Sequence, residues 1–135
     1  MKKIIISIIA VLVGMVCYGQ EKNYCELVGT QKLLTGKVVV QVDFGQQSYG
    51  KDNRLVDANG EVMTFNSMVD AMNYMSKLGW EFEQAYVVTI GAGNSGTNVY
   101  HWLLSKYTYG DGEDPGLKTK AMVRQEQREA EAAQE

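Results

Sequence analysis

The sequence predicts an α+β fold: an antiparallel sheet of four to six strands with one amphipathic helix packed on one face, plus a charged C-terminal helical or disordered tail. Three observations carry this. Two stretches, around residues 37–44 and 80–90, alternate apolar and polar side chains with the period of two expected of half-buried strands. Between them a single segment repeats its apolar residues at helical spacing and carries a cap signal at each end. Glycine-containing turns at Gly36, Asn59-Gly60 and residues 91–98 join neighbouring strand-like segments as hairpins.

The N-terminus reads as a targeting element. Lys2 and Lys3 precede an apolar run over residues 4–16, and Cys17, Tyr18 and Gly19 follow, in the charged, apolar, small-residue order of a cleavable secretory signal peptide. The run is shorter than the ~20 apolar residues of a membrane-spanning helix, and Gln20, Glu21, Lys22 and Asn23 end it at once. Residues 1–19 are therefore expected to be removed and the chain exported to the periplasm or beyond, with no transmembrane span after cleavage. A lipid anchor on Cys17 is the lesser alternative, because Val16 stands where a lipobox wants Gly, Ala or Ser.

Cleavage of 19 of the 135 residues leaves 116, enough for one modest core and not for two. Loss of two lysines leaves 11 basic against 16 acidic side chains, a formal charge of −5, which argues against nucleic acid as a partner. Cys17 leaves with the signal, so Cys25 has no intramolecular disulfide partner.

Residues 24–34 and 37–44 read as two strands with a tight turn at Gly36; Val38, Val40, Val42 and Phe44 line one side of the second. Residues 45–54 read as a loop. Residues 55–65 read as a short hairpin, with Asn59-Gly60 suited to a type I′ turn. Ser67 and Asp70 have capping-box spacing, and Met68, Val69, Met72, Met75 and Leu78 form the apolar stripe of a three-turn helix. Gly79 is placed as its left-handed C′ residue, with Trp80 as the following apolar contact. Trp80, Phe82, Tyr86, Val88 and Ile90 mark a strand, residues 99–107 its partner, and residues 91–98 the loop between them. Residues 109–116 are a turn at which the domain, residues 20–116, is expected to end. Residues 117–135 have helix-forming composition with only Leu117, Met122 and Val123 as sizeable apolar side chains, hence the charged tail.

The run FNSMVDAMNYMSKLGWEFEQAY, residues 65–86, resembles the small bacterial DUF4177 family, in which a helix closes on Gly-Trp-Glu and two strands follow; VYHWLLSK, residues 99–106, matches the last strand. With YCELVGTQKLL ahead and WEFEQAYVVT behind, the chain is also similar to exported proteins of Bacteroides-type bacteria. The resemblance covers about a third of the chain, a short motif of the kind that supports a fold. It implies a β-α-β-β module and carries over no catalytic residues. The long stretch over residues 45–65 and the charged tail depart from the family pattern.

Several segments mimic chemistry. Gly91, Gly93 and Gly96 follow an apolar strand in GxGxxG spacing, but a dinucleotide site needs a helix immediately afterwards, and residues 99–107 are β-branched and aromatic. A glycine-rich hairpin loop is expected instead, and no cofactor. Asp111, Glu113 and Asp114 lack the ligand order of a calcium loop and read as a solvated turn, so no metal is expected. His101, the sole histidine, shares a strand face with Val99 and Leu103; Ser105 and Cys25 are the nucleophiles that folding would have to bring to it. Cys25 alternates with Leu27 and has no adjacent basic cluster, the setting of an inert buried thiol. Glu81 and Glu83 share one side of an exposed strand face rather than two walls of a cleft.

One surface stands out. With the helix over Trp80, Phe82, Tyr86, Tyr100 and Trp102, the opposite face holds Val87, Val99 and Leu103, to be covered by residues 45–65, by the start of the tail, or by a partner. The expected function is that of an exported, non-enzymatic envelope binding or structural module, with an envelope protein or a second copy as partner. The alternative is a periplasmic small-ligand or glycan-binding protein, and after it a small hydrolase using His101. A deep pocket lined by Trp80, Tyr100, His101 or Trp102 marks the ligand reading, and a flat apolar patch at Val87, Val99 and Leu103 marks the protein-partner reading.

Overall fold

The computed structural model describes residues 19–32, 34–45, 51–91, 96–108 and 116–134. The signal segment over residues 1–18, Cys17 included, and the acidic turn at Asp111, Glu113 and Asp114 lie outside them.

Strands β1 (Glu21–Gln31) and β2 (Val38–Asp43) form the first hairpin. Its turn is closed by Gly36, whose N–H donates to the Lys32 carbonyl at φ +67°, a backbone state that glycine adopts without strain. Strand β3 (Leu55–Val56) opens the next segment, helix α1 (Met68–Lys77) follows, and β4 (Glu81–Ile90) and β5 (Thr97–Thr108) make a long antiparallel hairpin. Strand β6 (Lys118–Thr119) leads directly into helix α2 (Lys120–Ala132). The fold is α+β, as expected: a four-stranded antiparallel sheet of order β2-β1-β5-β4, beside a two-stranded sheet of β3 and β6. No helix among the described residues is long and apolar enough to cross a membrane.

Alternation decides the two faces. In β1, Cys25, Leu27 and Gly29 point to the helix side; their register partners are Leu104, Trp102 and Tyr100 on β5, and Leu27 and Gly29 oppose Val42 and Val40 on β2. Helix α1 lays Met68, Ala71 and Met75 on this face, and Phe65, Leu55, Trp80 and Leu117 close the core around them. The stripe is one residue off expectation, because Ala71 takes the inward position and Val69 turns to solvent. The caps are as read from the sequence, with one change of partner. The Asp70 N–H donates to Ser67 Oγ at 3.2 Å, while the Asp70 carboxylate accepts from the Asn66 N–H, one residue before the cap. At the other end Gly79 has φ +87°, the Trp80 N–H donates to the Met75 carbonyl, and the Gly79 N–H donates to that of Ser76. This is the double bond pattern of a Schellman cap, and it delivers Trp80 into the core against Phe44.

Three expectations are corrected. The turn at Asn59-Gly60 is not type I′, because only Gly60 has positive φ; the Asp57 carboxylate accepts the N–H groups of Asn59 and Glu61 and sets the turn from its first residue. The chain beyond residue 116 does not leave the domain at once. Leu117 and Thr119 are buried, the Lys120 N–H donates to the Arg54 carbonyl, and only α2, with no buried residue, behaves as the solvated helix anticipated. The third correction concerns β4, whose register shifts between Phe82 and Gln84. A bulge of one residue moves every later side chain to the other face. Tyr86 therefore joins His101 on the face away from the helix, while Val87 joins Tyr100 on the helix side.

Candidate functional site

The face of the large sheet turned away from α1 is the candidate site. Register places there Lys22, Tyr24, Glu26, Val28 and Thr30 on β1, Thr97, Val99, His101, Leu103, Ser105 and Tyr107 on β5, and Gln84, Tyr86, Val88 and Ile90 on β4, while contacts with Lys22 and Ser105 put the bulge residue Glu83 on the same side. Of the two candidates to cover it, the described residues 51–65 and the start of the last segment pack on the helix side, since Leu55, Phe65 and Leu117 belong to the core under α1. No described element lies over the open face.

The face grades from charged to apolar along the strands. At one end Lys22 Nζ lies 2.5 Å from Glu83 Oε1, and Ser105 Oγ donates to the same oxygen. The Lys22 ammonium also sits 5.4 Å and 5.8 Å from the ring centroids of Tyr24 and Tyr107, within cation–π range. The hydrogen bond from Lys22, and then that from Ser105, hold the Glu83 carboxyl below the usual carboxylate range. In the middle, Tyr86 stacks on His101 with ring centroids 4.7 Å apart and planes 7° from parallel, and its hydroxyl donates to Glu26 Oε1 at 2.7 Å. That hydrogen bond to an anion raises the Tyr86 phenol above its ordinary value. His101 Nδ1 stands 3.4 Å from the same Glu26 oxygen without hydrogen-bond alignment and has no hydrogen-bond partner among the described residues. The far end holds Val28, Val88, Val99 and Ile90, with Thr30 and Thr97 beside them.

The seven residues singled out from the sequence divide among three places. Val99, His101 and Leu103 lie together on the open face, as expected. Tyr100 and Trp102 face the helix side, half-buried against the core, with Phe82 edge-on to Trp102 at 5.2 Å. Val87 pairs with Tyr100 on that same side, and Trp80 is itself core. Trp80, Tyr100, His101 and Trp102 therefore do not converge on one pocket, because His101 and its two neighbours on β5 point to opposite sides of the sheet.

The hydrolase constellation is not assembled either. Ser105 is four residues from His101 on the same strand face, about 13 Å away by strand rise, beyond hydrogen-bond reach. Cys25 lies on the helix side, buried, and burial pushes its thiol up to about 12, far from the thiolate that a nucleophile needs. Gly93 of the glycine segment lies outside the described residues; Gly91 follows β4, and Gly96 precedes antiparallel β5 where a dinucleotide site would have a helix. Among the described residues no three His, Cys, Asp or Glu side chains gather as a metal site would require.

Sequence reasoning did not single out Lys22, Tyr24, Glu26 or Tyr86. The signal for the first three was present, since they alternate with Cys25 and Leu27 in β1. Tyr86 was concealed by the bulge. No family model, no curated protein and no solved structure matches the chain.

Proposed function

We propose that this protein is an exported, non-enzymatic binding module that meets a protein partner of the cell envelope through the open face of its sheet. The observation that carries the reading is the face that no described residue covers. Tyr24, Tyr86, Val88, Ile90 and Tyr107 each leave 42–61 % of their surface to solvent on one side of one sheet, a concentration of large apolar groups that monomeric surfaces seldom display. Tyrosines with a polar tip and an apolar ring are the side chains that protein interfaces favour. Export rests on the order of residues 1–19, and kinship with the DUF4177 family on residues 65–86.

Site-specific photo-crosslinking in fractionated cells tests both parts. A crosslinker at Tyr24 or Tyr107 should join the protein to one discrete envelope protein, whereas one at Val69, exposed on the outer side of α1, should not. Equal labelling from all three positions overturns the surface assignment. Recovery in the cytoplasm with residues 1–19 intact overturns export.

A further inference from the structure

We infer that β4 is a dimerisation edge, which pairs antiparallel with β4 of a second copy across a two-fold axis at Val87. This concerns the edge of the sheet, and it stands whether or not the open face binds a partner.

The fold treats its two outer strands differently. The outer side of β2 is occupied: Val38 and Phe65 exchange backbone hydrogen bonds, the Val42 N–H donates to the Asn53 carbonyl, and Gln41 bridges to Arg54. On the outer side of β4 no described backbone segment pairs, and all ten residues of the strand are exposed. Its free N–H and C=O groups form a ready template for another extended strand. The usual protections are missing here, since residues 85–90 contain no proline, lysine or other charge, and the bulge lies at the opposite end, at Glu83 and Gln84.

The strand complements itself. Residues 84–90 are an uncharged run centred on Val87. A two-fold axis perpendicular to the sheet at that residue sets Tyr86 against Val88, Ala85 against Thr89, Gln84 against Ile90, and Val87 against its own copy. Each pair occurs twice, as isologous symmetry requires, and aromatic against β-branched is a favourable cross-strand pair. Antiparallel pairing also carries Glu81 and Glu83 to opposite ends of the interface. Parallel pairing in register would stack each on its copy at a cost. Half-exposed Phe82, Tyr86, Val87, Val88 and Ile90 offer on the order of 400 Å² of apolar surface per copy. With the backbone edge this reaches the ~1,000 Å² in total that a specific contact needs. The result is a continuous eight-stranded sheet, formed reversibly and with concentration.

The test is sedimentation equilibrium on protein purified from cells expressing the full chain. Wild type should pass from monomer to dimer as concentration rises. Val87→Lys and Val87→Glu each set like charges opposite one another and should weaken the dimer about tenfold or more. An equimolar mixture of the two should restore it, which also shows that both variants are folded. Tyr24→Lys, on the open face away from β4, should leave the equilibrium unchanged. A chain that stays monomeric throughout, a dimer indifferent to both Val87 variants, or one abolished by Tyr24→Lys overturns the inference.

Discussion

Gly29 of β1 lies directly under the Met68 thioether: a methyl group at position 29 would overlap Met68 Sδ and lie 3.3 Å from Val38 Cγ1. The absence of a side chain at one point of β1 is thus what lets the first turn of α1 rest on the sheet. Gly29→Ala should cost about 1–3 kcal/mol as an overpacking change. Met68→Ala should be destabilising alone, yet the double variant should be less destabilised than the sum of the two. Urea denaturation of the four proteins decides it, and strict additivity would refute the contact.

Gly79 tests the helix cap. At its φ of +87°, with the two Schellman hydrogen bonds, Gly79→Ala makes only ordinary contact with Lys106, Cε at 3.4 Å, but holds a backbone state that alanine resists. A loss of about 1–2 kcal/mol is expected, with a smaller loss for Gly79→Asn. Thermal unfolding should rank them wild type, Asn, Ala.

The last segment separates into a part that packs and a part that does not. Leu117→Ala removes a buried core side chain and should cost about 2–5 kcal/mol. Truncation after Arg124 removes only exposed helix and should leave the unfolding midpoint nearly unchanged, whereas truncation after residue 116 should abolish the cooperative transition.

Two ionisable groups of the open face give stability opposite pH dependences. Glu83 has a lowered pKa, so its contribution is complete above the unfolded value of about 4.3 and disappears as pH falls through the lower folded value. The stability gap between wild type and Glu83→Gln should therefore narrow only on strong acidification. Tyr86 has a raised pKa, so its contribution is complete below the unfolded value of about 10 and is lost as pH rises through the higher folded one. In Glu26→Gln the titration of one tyrosine, followed by ultraviolet absorbance, should move to lower pH.

Where local rules suffice, sequence and structure agree. The helix, its two caps, the Gly36 turn and the inward set Cys25, Leu27, Val38, Val40 and Val42 depend on spacing and backbone conformation within a few residues. What escaped the sequence depends on one extra residue or on distant pairing. The bulge beside Gln84 leaves no compositional mark, yet it exchanges Tyr86 and Val87 between faces. Leu117 looked like the first residue of a solvated tail because its partners, Leu55 and its neighbours on β3, lie some sixty positions earlier. Of the site, Val99, His101 and Leu103 were legible from alternation within β5. The partners that engage them, Glu26 and Tyr86, come from two other strands whose register no single stretch encodes.

The central pair of the sheet joins distant parts of the chain: Glu21 of β1 opposes Thr108 of β5. A chain that emerges N-terminus first, from a ribosome or through a membrane pore, therefore holds β1 and β2 as a lone hairpin until almost the whole domain is out, and two strands alone are marginal in water. Helix α1 arrives before the sheet it will cover is complete. Closure waits for β5, whose pairs with β1, from Thr30 with Val99 to Glu21 with Thr108, join residues far apart in the chain and carry the entropy of so large a loop. In chain order, the pairing that completes the large sheet is thus the last to become available.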